Sequence, residues 1–134
     1  MPDRGAVAVE FALLLPVLLL IVFGIIDFGR MLNAQITLTQ AAREGARLAA
    51  LGDTYQVVQA RVTTAATSLS GVSVPPYAPC PAGASTSASA DATVQVTYQF
   101  QFATPIGAFA AMFGGSGFGS PITLTAQGVM PCET

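Results

Sequence analysis

The sequence has no histidine, no lysine and no tryptophan, and only 9 % of its 134 residues carry a charge. Without His or Lys the commonest general bases and amine nucleophiles are missing. Asp53, Asp91 and Glu133 stand alone, and no cysteine or acid cluster has metal-ligand spacing. Gly114-Gly115-Ser116-Gly117 is glycine-rich but lacks the strand–turn–helix setting of a phosphate loop, so it reads as a linker. These absences argue against an enzyme, and no cofactor or metal is expected. The basic residues are Arg4, Arg30, Arg43, Arg47 and Arg61, with none further on. The second half therefore has no basic patch, and nucleic-acid binding has no electrostatic footing. The formal net charge of −2 steers the molecule toward no class of partner.

What is present is one long oily stretch. Phe11 to Ile26 is sixteen residues without a charge. As a helix, Ala6 to Ile26 spans roughly 31 Å, close to the hydrocarbon thickness of a bilayer. The run is too long for a signal-peptide core, and no A-x-A-like cleavage site follows it; Leu32-Asn33-Ala34 is a poor substitute. A retained anchor is expected over residues 6–30, with residues 1–5 a short leader. Glu10 stands out, because a carboxylate at the membrane edge is costly and asks for a partner. Snorkelling to the headgroups is the plainer fate of such a side chain. Pro16, Gly24 and Gly29 are either ordinary membrane-helix residues or places for a kink and for close helix approach.

Orientation signals conflict. Arg30, Arg43 and Arg47 follow the run and only Arg4 precedes it, which favours a cytoplasmic C-terminus. The cysteines and the make-up of the distal half favour export, and a cytoplasmic N-terminus is the reading adopted. Cys80 and Cys132 are the only cysteines. They are either a disulfide in an oxidising compartment or two buried thiols, and an isolated pair beyond an anchor favours the disulfide.

The helical pattern continues past the anchor. Asn33 to Leu51 has no proline and is rich in good helix formers. Leu32, Ile36, Thr39, Ala42 or Arg43, Ala46 and Ala49 or Ala50 recur at helical spacing, and Glu44 has Arg47 in reach. One helix from about Ala6 to Leu51 is expected, closed at Gly52. Asp53 with Gln56 reads as a capping box for a second, amphipathic helix ending near Gly71. Residues 31–71 thus form a projecting helix and a second helix. Residues 72–134 form a small β-rich exported domain. Ala82–Ala90 reads as a loop. Thr93–Phe102 alternates, with Val94, Val96, Tyr98, Phe100 and Phe102 on one face. Thr104-Pro105 opens a short helix with Pro at its first position and a buried stripe of Ile106, Phe109, Ala110 and Phe113. Gly114–Ser120 is a flexible stretch. Ile122, Leu124 and Ala126 begin a second strand, antiparallel to the first. The fold class is α+β.

One set of residues resembles a known family. Gly5 followed by Ala6-Val7-Ala8-Val9-Glu10-Phe11 looks like a type IV pilin or pseudopilin precursor, cut after the glycine with Glu as the fifth mature residue. The closer likeness is to the TadE-like family of pilus-assembly proteins. It is carried by Arg4–Leu13, Leu15-Pro16, Asp27-Phe28-Gly29-Arg30 and Ala41–Arg47, about a third of the chain. The resemblance implies a non-catalytic, pseudopilin-like component of a tight-adherence (Flp, type IVb) pilus and secretion system used in surface adhesion. It implies an inner-membrane location with the C-terminal domain outside the cytoplasm, and pilin or pseudopilin subunits and the assembly machinery as partners. It implies processing by a prepilin peptidase between Gly5 and Ala6, with Glu10 and Phe11 serving assembly. Flp-type pilins tend to have Tyr where Phe11 stands and are much shorter, so a major pilin is not expected. The alternative is a membrane-tethered extracytoplasmic binding module outside any pilus, in which residues near Tyr98 or Phe113 matter and Glu10 does not.

Overall fold

The computed structural model of the chain describes residues 3–77, 80, 90–115, 117 and 119–132. The fold is α+β, in the order α1 (Asp3–Ala50), α2 (Tyr55–Ala65), β1 (Asp91–Phe100), α3 (Ile106–Met112) and β2 (Ile122–Pro131). The chain divides into two compact units. One comprises Met1–Met31 with Gln101–Pro121, and the other Leu32–Phe100 with Ile122–Thr134.

The second unit holds the core. α1 runs into it without a break and closes on Gly52, whose φ of 82° suits glycine. The Gly52 N–H donates to the Ala49 carbonyl and the Asp53 N–H to the Leu48 carbonyl, the paired bonds of a Schellman closure. Asp53 is thereby spent on ending α1. The expected capping box does not form: Thr54 is the N-cap of α2 and makes no side-chain cap bond. α2 also stops at Ala65, short of Gly71, with Thr67, Ser68 and Ser70, poor helix formers, in the segment that follows.

Two strands pair antiparallel, with Asp91 opposite Pro131 and Phe100 opposite Ile122. Ala92, Val94, Val96 and Phe100 are buried, as alternation requires of a sheet with one covered face. Phe102 lies beyond the end of β1. Ser73 adds one rung beside Thr97. The covered face meets a stripe of α1 made of Leu38, Ala41, Ala42, Ala46 and Ala49, together with Val58 and Val62 of α2. Burial of each such valine contributes roughly 1.5–3 kcal/mol.

The distal part of this stripe, at Ala42, Ala46, Ala49 and Ala50, is the expected one, and its start is not. Leu32 and Ile36 are exposed, and Ala34 and Leu38 take the inward positions. The reason is how closely the sheet approaches. A Cβ on Gly128 of β2 would sit 2.2 Å from the Ala42 carbonyl oxygen, and one on Gly45 would sit 2.7 Å from Val62 Cγ2. Backbone lies against backbone at Gly128, valine side chains of α2 and β1 press on Gly45, and only small residues fit between. Glu44 pairs with Arg61 of α2 at 3.5 Å rather than with Arg47. Cys80 and Cys132 are joined in a disulfide with a sequence separation of 52. Tyr55 donates its hydroxyl hydrogen bond to the Val74 carbonyl and packs on Tyr77, with ring centroids 5.8 Å apart.

In the first unit, α1 is apolar on every side, and not one residue of its most apolar eighteen-residue window is buried. This makes it a candidate membrane anchor, long enough to cross a bilayer. α3 accompanies it. Pro105 is its N-cap rather than its first residue, since the Pro105 carbonyl accepts the first helical bond, from the Phe109 N–H. The expected buried stripe is absent. Ile106, Phe109 and Ala110 are half-buried, and Phe113 is exposed. α3 is a single short helix with no second layer over it. The loop expected over Ala82–Ala90 lies outside the described residues except for Ala90, as do Met1 and Pro2 of the leader and Ser116 and Phe118 of the glycine-rich stretch.

Candidate functional site

The processing and assembly residues inferred from sequence all fall on the first turns of α1. Gly5, Ala6, Glu10 and Phe11 are exposed. The bond between Gly5 and Ala6 is inside the helix, so any peptidase cutting there would have to unwind the first turn. Glycine lowers the cost of doing so, being about 1 kcal/mol poorer than alanine in a helix. Glu10 stands among the exposed apolar side chains of Val7, Val9, Phe11 and Leu13, and no hydrogen bond or ion pair with another described residue engages it. Its carboxylate is available to a group outside this chain. Phe11 presents more than half of its surface beside it.

A second carboxylate is treated in the opposite way. Asp27 is 1 % exposed, on the distal part of the apolar helix. Its Oδ1 accepts from Arg30 Nη1 at 3.2 Å and from the Ala103 N–H at 3.1 Å, and its Oδ2 accepts from the Thr104 hydroxyl. A buried carboxylate needs such donors to offset the loss of water. Asp27 therefore clasps the chain just before α3 onto α1. Sequence reasoning applied the rule for intramembrane acids to Glu10 and passed over Asp27, although the same rule points to both. Beyond the clasp, Phe109 of α3 and Phe113 just past its end line an apolar cleft of about 210 Å³ with Pro16, Val17 and Leu20 of α1. The two rings lie 5.7 Å apart, tilted by 52°.

The other unit offers an open polar cleft lined by Gln40, Arg43, Glu44, Arg61 and Thr64. Its Arg61–Glu44 pair is about half-exposed on both sides, so it contributes little. Tyr77 has a buried hydroxyl with no hydrogen-bond partner among the described residues. Burial pushes its phenol above the ordinary value, and the Asp53 carboxylate and Tyr55 push the same way. No group of three metal-ligating side chains occurs among the described residues. The described side chains are arranged to hold surfaces together.

Comparison with known proteins agrees with the pattern read from the N-terminal residues. Residues 5–47 match the model of the family described as TadE-like protein. The match takes in Gly5, Glu10, Asp27 and the Ala41–Arg47 stretch, and ends before α2, the sheet and α3. No curated protein and no solved structure gives a significant match. The family likeness associates the chain with the pilus apparatus of the tight-adherence type.

Proposed function

We propose that this chain is a pseudopilin-like subunit of a tight-adherence pilus and secretion system, anchored in the inner membrane by α1 with its N-terminus in the cytoplasm. The carrying observation is an unpartnered carboxylate, Glu10, five residues after Gly5 at the head of an apolar helix with no buried residue in its most apolar window. A prepilin peptidase cuts after Gly5 and leaves a cationic amine on Ala6. Glu10 of one subunit then pairs with that amine on a neighbour. Four residues separate the two groups, so paired helices are offset by roughly 6 Å along their axes. Phe11 packs against the neighbouring helix. In a water-free setting, removing one partner of such a pair leaves an uncompensated charge and costs about 3–5 kcal/mol. The disulfide-bonded unit is carried outside the cytoplasm, where thiols oxidise. It contributes to pilus biogenesis and, through the assembled structure, to surface adhesion.

Mass spectrometry of the membrane-extracted chain, made with and without an active prepilin peptidase, tests processing. The expected result is an N-terminus at Ala6 only when the peptidase is present; retention of Met1 in both sinks the cleavage step. Crosslinking between subunits tests assembly. Glu10→Ala is expected to abolish it while the amount of chain and its disulfide stay unchanged. Wild-type crosslinking in Glu10→Ala overturns the pairing mechanism and favours a tethered module.

A further inference from the structure

The sequence holds no charge between Asp91 and Glu133, and in the middle of that interval lies Gln101–Pro121, which belongs to the same compact unit as the apolar half of α1. An uncharged connection between two strands of a water-facing sheet is unusual, since loops of soluble domains carry their polar residues outward. Here the large side chains turned outward are Met112, 79 % exposed, and Phe113, 68 % exposed. α3 buries nothing. Two large apolar side chains side by side on an uncovered helix call for a covering medium.

We propose that α3 and its flanks enter the bilayer beside α1, one leaflet deep, so that lipid acyl chains cover Met112 and Phe113. The inference rests on the reading of α1 as a membrane span. Three observations carry it. The first is depth. The clasp at Asp27 and Arg30 is the polar end of the apolar run. Phe109 and Phe113 share their cleft with Leu20, Val17 and Pro16, seven to eleven residues back along α1. That is roughly 10–16 Å at helical rise, and one leaflet of hydrocarbon is roughly 15 Å. The second is continuity. The cleft is lined only by apolar residues, and the α1 surface around it, at Leu13, Leu14, Ile21 and Val22, is exposed and of the same character.

The third is the handling of backbone polar groups, which hydrocarbon does not solvate. The carbonyl of Ala110 accepts from the N–H groups of Phe113 and Gly115, and that of Ala111 from Gly114. Gly114, at φ 83°, closes α3 as Gly52 closes α1. At the other end, the Ala103 N–H and the Thr104 hydroxyl are held by Asp27. The returning chain lies directly on the helix, since a Cβ on Gly119 would be 2.8 Å from Gly107 Cα. Both ends of the segment thus find partners within the chain, which entry into hydrocarbon requires.

The absence of native tryptophan makes the test direct, because one introduced indole reports one place. Phe113→Trp and Met112→Trp replace exposed side chains and remove no buried contact. Each full-length variant, and Val17→Trp in α1 and Gln59→Trp on the exposed side of α2 as references, is reconstituted into phosphatidylcholine vesicles with brominated acyl chains. The expected result is that Phe113→Trp and Met112→Trp lose fluorescence to the bromolipid as strongly as Val17→Trp, with blue-shifted emission, while Gln59→Trp is quenched by aqueous acrylamide alone. Quenching of Val17→Trp with none at positions 112 and 113 overturns the inference and leaves the span intact. In that event, blue-shifted emission assigns the cover to protein, and red-shifted emission assigns it to water. Absence of bromolipid quenching at Val17 itself overturns the span and the inference with it.

Discussion

α1 is one unbroken helix of 48 residues, yet its two parts obey different rules. Up to Met31, its large Leu, Val, Ile and Phe side chains point outward all round, and the one buried side chain is the acid Asp27. From Leu32 on, the buried residues are Ala34, Leu38, Ala41, Ala42, Ala46, Ala49 and Ala50, nearly all small, and Leu32 and Ile36 are outside. In the first part the one buried side chain is polar and the bulky apolar side chains are outside, an arrangement suited to a hydrocarbon solvent. In the second part a sheet lies so close that bulk is excluded. Hydrophobicity alone does not separate the two; side-chain size against a packed neighbour does.

The comparison implies that damage to the disulfide-bonded unit leaves the apolar part of α1 standing. The largest effect expected is from reducing Cys80–Cys132. A closed loop of 52 residues contributes about 4 kcal/mol in the chain-entropy model. With the full chain in detergent, reduction should lower the denaturation midpoint of the sheet-bearing unit while the helical signal from the apolar part persists. Loss of both together would show the two units to be one cooperative body. Gly128→Val comes next. Its side chain would meet the Ala42 carbonyl and the neighbouring Arg43 nitrogen, backbone atoms that cannot step aside, and the expected loss is about 3 kcal/mol. Urea titration with an intact disulfide measures it. An unchanged midpoint would show that the sheet does not dock on α1 as closely as described.

Asp27→Ala attacks the other side. It strips the Ala103 N–H, the Thr104 hydroxyl and the Arg30 guanidinium of a shared acceptor. Leaving such donors without a partner costs about 2 kcal/mol, which stays local if the units are independent. Chymotrypsin cleavage at Phe109, Met112 or Phe113 should then quicken by roughly 30-fold, the equivalent of that energy. The urea midpoint of the sheet-bearing unit should not move. A shift in that midpoint would break the comparison, because the clasp would then be supporting the core.

How much of this was legible beforehand follows from where each signal is stored. β1 and β2 were readable because the period-two alternation of Val94, Val96, Phe100, Leu124 and Ala126 is local and the sheet has one covered face. The length of α1 and its stop at Gly52 were readable for the same reason. The inward stripe of α1 was readable at Ala42, Ala46 and Ala49 but not at its start, where Ala34 and Leu38 rather than Leu32 and Ile36 turn inward, because size complementarity depends on a partner sheet far along the chain. Asp53 fits a local capping pattern, but the closure of the preceding helix had the stronger claim on it. Of the candidate site, Glu10 was singled out as an acid at the edge of an apolar run, and Gly5 by the resemblance to pilin precursors. The Asp27 clasp was not, since its partners Ala103 and Thr104 lie 76 and 77 residues away.

The smallest predicted effect probes the one polar loose end of the core. The Tyr77 hydroxyl is buried without a partner among the described residues, so its desolvation is uncompensated. Tyr77→Phe should leave stability unchanged or raise it by up to about 1 kcal/mol at neutral pH, because removing an unsatisfied group is close to neutral or favourable. At alkaline pH the sign is fixed by linkage. The phenol is held above its ordinary value, so the folded chain keeps its proton where the unfolded chain has lost it. That contribution is fully present below about pH 10 and is lost as pH rises through the folded value. Wild type should therefore fall off more steeply than Tyr77→Phe above about pH 10, measured by urea titration of the full chain in detergent. Parallel curves would mean that the phenol is as well solvated as in the unfolded chain, and that the sheet-bearing unit is looser around Tyr77 than its packing on Tyr55 indicates.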